Sequence, residues 1–143
     1  METGIEKIAG HFPLTKKELQ GYSSLALAYI GDCIFELFVR TKIVSRGNDK
    51  ANHYHQKTIH YVNAAAQTEM MQRIKPLLSA EEQAVFRRGK NAKSFSPAKH
   101  QSLHDYHIAT GFEALMGYLY LSGQQERLSE LVQICLTEGR EQE

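Results

Sequence analysis

The chain has 143 residues, of which 42% are hydrophobic and 23% are charged, and its formal net charge is +1. This length suits one domain with its own hydrophobic core, and we expect a single domain over residues 1–143. No apolar run approaches the roughly 18 residues that a membrane span requires. The weak net charge excludes a strongly basic protein, so any attraction to a polyanion must come from a local patch.

The N-terminal stretch METGIEKIAGHFPL lacks the features of an export signal. It has no basic region followed by an apolar core and a cleavage site of small residues. We therefore expect a cytoplasmic protein. The two cysteines, Cys33 and Cys135, lie in separate apolar helical stretches. This placement predicts reduced, buried thiols rather than a disulfide or metal ligands.

Apolar residues recur at helical spacing along nearly the whole chain, and alternating β-branched runs are absent, which predicts an all-α fold. The predicted helices are a short one opened by the capping-box pair Thr15 and Glu18, a long one from about Ser24 to Arg46, KANHYHQKTIHYV bending into NAAAQTEMMQRIKPLL, AEEQAVFRRGKNAK, a second long one from about His104 to Leu121, and a last one from about Gln125 to Thr137. We expect Asn48 or Asp49 to cap the third of these. The tract SFSPAKHQS is the best candidate for a functional loop.

Two carboxylates, Asp32 and Glu113, stand inside the two long apolar helices. Burying an ionised acid is costly, so such a group has a raised pKa, pairs with a cation or binds a metal ion. If the helices pack with both acids at one level, the oxygens can converge on Mg²⁺, which usually takes one or two protein carboxylates. Gly31, Gly111 and Gly117 would allow close helix approach or ligand access. The alternative is a buried ion pair of each acid with Arg or His.

Both acids fall in stretches that resemble a known family. LALAYIGDCIFELFVR resembles the signature helix of ribonuclease III catalytic domains, whose aromatic-apolar-Gly-Asp core is present as Tyr29, Ile30, Gly31 and Asp32. ATGFEALMGYLYLSG resembles the family's second metal-binding helix, with its core at residues 113–117. The resemblance covers about residues 24–131. It implies an all-α endonuclease domain, with that segment as its core, whose two long helices carry the metal-binding acids and which acts as a homodimer.

The sequence departs from the typical family at two acidic positions. The usual Glu four residues before the catalytic Asp is Ala28 here, and the usual Asp three residues before the catalytic Glu is Thr110. This pattern and the short length resemble the Mini-III subgroup, in which the catalytic domain lacks a double-stranded-RNA-binding domain. The resemblance implies a metal site of Asp32 and Glu113, with Thr110 holding a metal-bound water. Mg²⁺ is the expected cofactor, with Mn²⁺ as a substitute.

The function implied by the resemblance is Mg²⁺-dependent hydrolysis of double-stranded RNA, with Asp32 and Glu113 as catalytic residues and 5′-phosphate products. One site cuts one strand, so cleavage of both strands requires a two-fold dimer. Phe35, Phe38 and Leu27 serve either this dimer contact or the core. The implied substrate is a duplex stem in precursor 23S ribosomal RNA of the large subunit. A ribosomal protein or the assembling large subunit is a further candidate partner.

From Phe86 to His100 the chain carries five basic residues and no acid. Phosphate binding requires Lys and Arg, and A-form duplexes are recognised mainly through their shape and backbone. The alternative is a solvated helix end and loop. The predicted RNA-binding residues, most of them in the stretch RRGKNAK that resembles Mini-III enzymes, are Arg87, Arg88, Lys90, Asn91, Lys93 and Lys99.

Two other functions fit parts of the sequence. The histidines form two groups that invite a transition-metal site, namely His53, His55 and His60, and His100, His104, Asp105 and His107. The His-Asp doublet is typical of an all-α class of metal phosphohydrolases, but no Asp follows Asp105 as that class requires. The second alternative is a non-catalytic, dimeric factor that binds double-stranded RNA or assists ribosome assembly. It predicts duplex binding without cleavage.

Overall fold

The computed structural model describes residues 4–92 and 102–137, and all regular structure in these two ranges is helical. This confirms the predicted all-α class. In the same ranges, no helix is both long enough and apolar enough to cross a membrane. The helices are α1 (Ile5–His11), α2 (Lys16–Gln20), α3 (Ser24–Val44), α4 (Ala51–Val62), α5 (Ala64–Ile74), α6 (Ala80–Lys90), α7 (Leu103–Leu121) and α8 (Gln125–Leu136), with a 3-10 turn at Lys75–Leu77.

Serine and asparagine side chains cap the N-termini of four of these helices. The hydroxyls of Ser23 and Ser102 accept hydrogen bonds from the first turns of α3 and α7, and Asn63 does the same for α5 where α4 ends. Ser79 and Glu82 form a reciprocal capping box at α6. Each cap satisfies backbone N–H groups that would otherwise lack a partner. The bend between α4 and α5 therefore has a local cause in the sequence.

The start of α4 differs from the expectation. Its N-cap is Lys50, and no side chain caps the helix, so the prediction of Asn48 or Asp49 is wrong. Asp49 instead accepts hydrogen bonds from the Lys50 backbone and from His53, both at 2.8 Å. Its carboxylate still lies at the positive end of the helix dipole. Helix α1 was not expected from the sequence, and it buries none of its residues.

Helix α7 is the centre of the molecule, and α3, α5, α6 and α8 pack around it. Most of its residues from Ile108 to Tyr120 are buried. A helix that is apolar on all sides is stable only when other helices surround it. Phe35 of α3 and Phe112 of α7 meet edge to face, with ring centroids 5.1 Å apart. This arrangement makes α7 a rigid support for Glu113.

Helices α3 and α7 cross at unusually close range because glycines lie at the contact. A methyl group added at Gly31 would overlap the backbone carbonyl of Glu113, and one added at Gly117 would overlap that of Leu27. On the other side of α7, a methyl at Gly89 would lie 2.8 Å from the Cα of Gly111. Of the two roles expected for these glycines, the structure shows close helix approach. The crossing therefore fixes the position of Asp32 on α3 relative to that of Glu113 on α7.

The outward face of α3 carries Leu25, Tyr29, Cys33 and Leu37, all exposed. The prediction that Cys33 is buried is therefore wrong, whereas Cys135 is buried as expected, and burial raises the pKa of its thiol to about 12. Because α3 is apolar on every side, its sequence does not reveal which face points outward. Leu27 and Phe35 belong to the core, and Phe38 is partly buried against it. The apolar residues that α3 exposes instead include Leu25, Tyr29 and Leu37.

Candidate active site

Asp32 and Glu113 lie side by side where α3 crosses α7. Their carboxyl groups lie close enough together for the Asp32 carboxyl to raise the pKa of Glu113. Asp32 is exposed, whereas the Glu113 side chain is partly buried and is flanked by fully buried neighbours on α7. The structure thus brings together the two acids that the sequence analysis paired, one open to solvent and one held in the interior.

The electrostatics of the pair are those of crowded negative charge. Burial, followed by the adjacent Asp32 carboxyl, raises the pKa of Glu113 from 4.5 to about 9, and Glu36 adds to the effect. Glu36 itself pairs with Arg40 at 3.2 Å. Within residues 4–92 and 102–137, no ion pair joins Arg or His to Asp32 or Glu113. The described residues therefore do not form the buried ion pairs that were the alternative interpretation of Asp32 and Glu113.

Gln67 of α5 is a third polar side chain at this point, and the sequence analysis missed it. It is only 2% exposed, and its side chain contacts the Glu113 carboxyl and lowers the pKa of that group. Its Nε2 atom is buried without a hydrogen-bond partner of good geometry. One signal could have found it, because Gln67 is the polar residue in the helical series Ala64, Gln67, Met71 and Ile74, whose other members are apolar.

The residues present fit a hard divalent cation better than a transition metal. In the part of the chain that the structure describes, no group of three or more His, Cys, Asp or Glu side chains could hold a metal ion. Structural zinc sites usually need four nitrogen or sulfur ligands, whereas Mg²⁺ accepts one or two carboxylates and keeps its waters. Burial and the neighbouring Asp32 carboxyl raise the pKa of Glu113, and a cation at this point would offset both effects. Asp32 and Glu113 would hold it.

Residues 25–124 match the family described as the Ribonuclease III domain. The chain belongs to the ribonuclease III family. It is accordingly an endoribonuclease of the ribonuclease III type. The match includes both helices of the crossing and therefore both acids, so the resemblance noted for the two sequence stretches is confirmed.

Several relatives are similar over most of their length. Mini-ribonuclease 3 of Clostridium tetani is 46% identical over 123 residues, which cover 85% of this chain and 82% of that protein. Mini-ribonuclease 3 of a Thermoanaerobacter species is 47% identical over 123 residues, covering 86% and 87%. A crystal structure of a Fusobacterium nucleatum protein is similar with a TM-score of 0.75 and 28% identity, covering 81% of this chain and 94% of that one. The resemblance to the Mini-III subgroup is thus confirmed.

The two positions where this ribonuclease III domain departs from the usual acids have different surroundings. Ala28 is buried against Leu19, Val85 and Ala114 and offers no polar atom. Thr110 lies one turn before Glu113, and its hydroxyl donates to the backbone carbonyl of Tyr106 at 3.0 Å. The Thr110 oxygen can still accept a hydrogen bond. Of these two positions, Ala28 contributes only to hydrophobic packing, whereas Thr110 provides a polar atom one turn from Glu113.

The described RNA-binding candidates lie at the end of α6. Arg87, Arg88 and Asn91 are exposed and Lys90 is partly exposed, and none of the three basic residues pairs with an acid of the described ranges. The contact between Gly89 and Gly111 sets this turn beside the segment of α7 that carries Thr110 and Glu113. Lys93, Lys99 and the candidate loop lie outside the described residues.

The histidines of the described ranges do not assemble into a site. His53 is exposed and contacts Asp49, while His55 and His60 are exposed on the same helix. His104 is exposed, and His107 is partly buried with its Nδ1 unpaired. His100 lies outside the described residues. In this family member the side chains that come together around a candidate metal position are carboxylates.

Proposed function

We propose that this chain is a Mg²⁺-dependent endonuclease that hydrolyses double-stranded RNA, with Mn²⁺ as a substitute cofactor. The observation that carries the proposal is the contact between the Asp32 and Glu113 carboxyls at the α3–α7 crossing. Two acids held together at the cost of a strongly raised pKa are typical of a site built for a divalent cation. Membership of the ribonuclease III family supports the same assignment.

The chemistry divides between the cofactor and the side chains. When bound, a divalent cation supplies positive charge against the scissile phosphate and lowers the pKa of a water. Asp32, exposed at the surface, faces the substrate side of the crossing, and Glu113 completes the pair from the interior. We propose that Thr110 orients a water through its hydroxyl oxygen. Addition of water across the P–O3′ bond leaves a 5′-phosphate and a 3′-hydroxyl.

The proposed assembly is a homodimer formed through the outward face of α3. Leu25, Tyr29 and Leu37 expose apolar surface on one side of this helix, and Tyr29 is 83% exposed. Contiguous exposed apolar patches on a protein surface often mark protein contacts. A two-fold axis also matches the pseudo-dyad of an RNA duplex, so each protomer would cut one strand.

The proposed RNA surface consists of the basic end of α6 and the segment that follows it. Its members interact with phosphates rather than bases, so binding should be independent of sequence and weakened by salt. The residues assigned to it are Arg87, Arg88, Lys90, Asn91, Lys93 and Lys99. Their support is the absence of acids in this stretch and its resemblance to the corresponding stretch of Mini-III enzymes.

The natural substrate that we propose is a duplex stem in precursor 23S ribosomal RNA, cleaved in the cytoplasm during assembly of the large subunit. A ribosomal protein or the assembling subunit would present this stem. The support is the similarity to Mini-III enzymes over most of the chain. A test is to probe the ends of 23S ribosomal RNA in cells that lack the protein, where extended ends are expected.

The nuclease activity is tested with long duplex RNA, Mg²⁺ and three proteins: the unaltered chain, Asp32→Asn and Glu113→Gln. The unaltered chain should cut, and both variants should lose most of the rate, because each replaces one of the two carboxyl groups that would hold the cation with a neutral amide. Asp49→Asn is the matched control, since Asp49 lies in the segment just before α4 and pairs with His53.

Two results would contradict the proposal. If the unaltered chain binds the duplex and leaves it intact with Mg²⁺ present, the protein is a binding or assembly factor. If Asp32→Asn cuts as fast as the unaltered chain, the active site lies elsewhere.

A further inference from the structure

Gln67 occupies the buried face of α5, where the neighbouring positions are apolar. Ala64, Met70, Met71 and Ile74 share this face and pack into the core, and Gln67 is 2% exposed among them. A carboxamide removed from water without full hydrogen bonding costs about 1–3 kcal/mol. An apolar residue of similar shape would avoid that cost. An amide kept at this buried position despite its cost is therefore expected to have a function.

The Gln67 side chain has one donor group, the amide NH₂ at Nε2, and this group donates no hydrogen bond to the described residues. Its Nε2 is buried and has no acceptor in good geometry among the described residues, although the side chain contacts the Glu113 carboxyl. Buried donors are rarely left unpaired, and those that are often belong to functional sites. The nearest functional group that the amide contacts is the interior carboxyl of the paired acids. An amide N–H donor complements an ionised carboxylate.

We propose that Gln67 is a positioning residue whose Nε2 donates a hydrogen bond to the ionised carboxylate of Glu113 and holds it in the orientation that a divalent cation requires. The inference rests on the proposed function, since it assumes that Asp32 and Glu113 bind the cation. Groups that hydrogen-bond to metal ligands fix the direction of their lone pairs, and losing one typically costs 10- to 100-fold in metal affinity.

The departures from the usual family make such a residue more important in this chain. Ala28 and Thr110 replace two acids, so fewer charged groups surround the cation and each remaining ligand must be held well. Asp32 is exposed and can adjust to the cation, whereas Glu113 lies on the central helix among buried residues. Gln67 lies on a third helix, α5. Its hydrogen bond would therefore fix the Glu113 side chain relative to α5, in addition to the packing of α7 against α3.

The test is to titrate the RNA-free chain and its Gln67→Met variant with Mn²⁺ and to follow the free-ion signal by electron paramagnetic resonance. Methionine keeps the length of the side chain and removes the amide. We expect affinity to fall about tenfold. We also expect thermal stability to stay equal or to rise, because the unpaired buried donor is gone. A purely structural amide predicts the opposite pattern, with unchanged affinity and lower stability.

The control is Met71→Leu, a conservative change at a buried position on the same helix, which should leave Mn²⁺ affinity unchanged. In the cleavage assay, Gln67→Met should need more Mg²⁺ but recover the unaltered rate at saturation, because both carboxylates remain. Gln67→Leu gives a second variant without the amide if the methionine repacks the core.

The outcomes separate this inference from the proposed function. If Glu113→Gln binds Mn²⁺ as tightly as the unaltered chain, the metal site is wrong and Gln67 loses its role with it. If Glu113→Gln loses binding and Gln67→Met does not, only the positioning role is overturned. A loss of cleavage rate that saturating Mg²⁺ fails to restore would also overturn it, because the effect of the amide would then not be on cation binding.

Discussion

At the scale of single residues, Glu113 should determine how the proposed metal site responds to protons and metal. Its pKa is raised to about 9 by burial and by the neighbouring Asp32 carboxyl. A proton and a divalent cation therefore compete for the same oxygens, and metal binding at neutral pH must displace the proton. We expect the Mg²⁺ concentration needed for half-maximal cleavage to fall as the pH rises toward 9.

The same shift predicts how the stability of the metal-free protein depends on pH. The folded chain keeps a proton on Glu113 between pH 4.5 and about 9, whereas the unfolded chain has lost it. Stability is therefore complete below pH 4.5 and declines as the pH rises through this window. Glu113→Gln should remove most of that decline, which urea denaturation in a chelator at several pH values can measure.

The contrast with added metal provides the control for this prediction. Mg²⁺ should stabilise the unaltered chain at the upper end of the window and should have little effect on Glu113→Gln, because a ligand stabilises only the state that binds it. If the two chains show the same pH dependence in the chelator, Glu113 is not the group that titrates.

At the scale of helices, the crossing of α3 and α7 converts two separate sequence stretches into one site. Gly31 allows the backbone of α3 to touch the carbonyl of Glu113, and Gly117 allows the equivalent contact one turn away. Asp32 follows Gly31 directly, so its carboxylate is delivered beside Glu113 by backbone contact.

Gly31→Ala should therefore separate the two acids. The added methyl group would overlap a backbone oxygen, and the helices must move apart, at a cost of about 1–3 kcal/mol or more. We expect a lower melting temperature and a lower Mn²⁺ affinity in the same variant. Gly10→Ala is the control, because Gly10 lies inside α1 with nothing near its Cβ position, and it should be neutral or slightly stabilising. Unchanged metal affinity in Gly31→Ala would show that the crossing does not set the site.

The positions of the helices are also the structural feature that could be predicted best from the sequence. Ser23, Ser79 and Ser102 are local caps, so the starts of α3, α6 and α7 could be predicted from a few neighbouring residues. The outward face of α3 could not, because this helix is apolar on every side and only tertiary packing decides its orientation. Cys33 is exposed for this reason. Gln67 was missed similarly, since its closeness to Glu113 depends on how α5 packs against α7.

At the scale of the whole molecule, the exposed apolar face of α3 links the site to assembly. Asp32 lies on the same helix as Tyr29 and Leu37, so a partner docked on this face would bring a second pair of acids close to the first. A dimer could then cut both strands of one duplex. A monomer with an intact site would cut one strand at a time. The pattern of cleavage therefore reports the assembly state.

Tyr29→Glu should convert the proposed dimer to a monomer, because a charge at a desolvated apolar contact is costly. Sedimentation should show half the mass of the unaltered chain, and a nicked-duplex assay should show single-strand breaks where the unaltered chain makes double-strand breaks. Ile8→Glu provides the control, since Ile8 is also exposed but lies on α1, and this variant should remain dimeric. If the unaltered chain sediments as a monomer, or if Tyr29→Glu still makes double-strand breaks as a dimer, the α3 face is not the interface and the two cuts must be coordinated elsewhere.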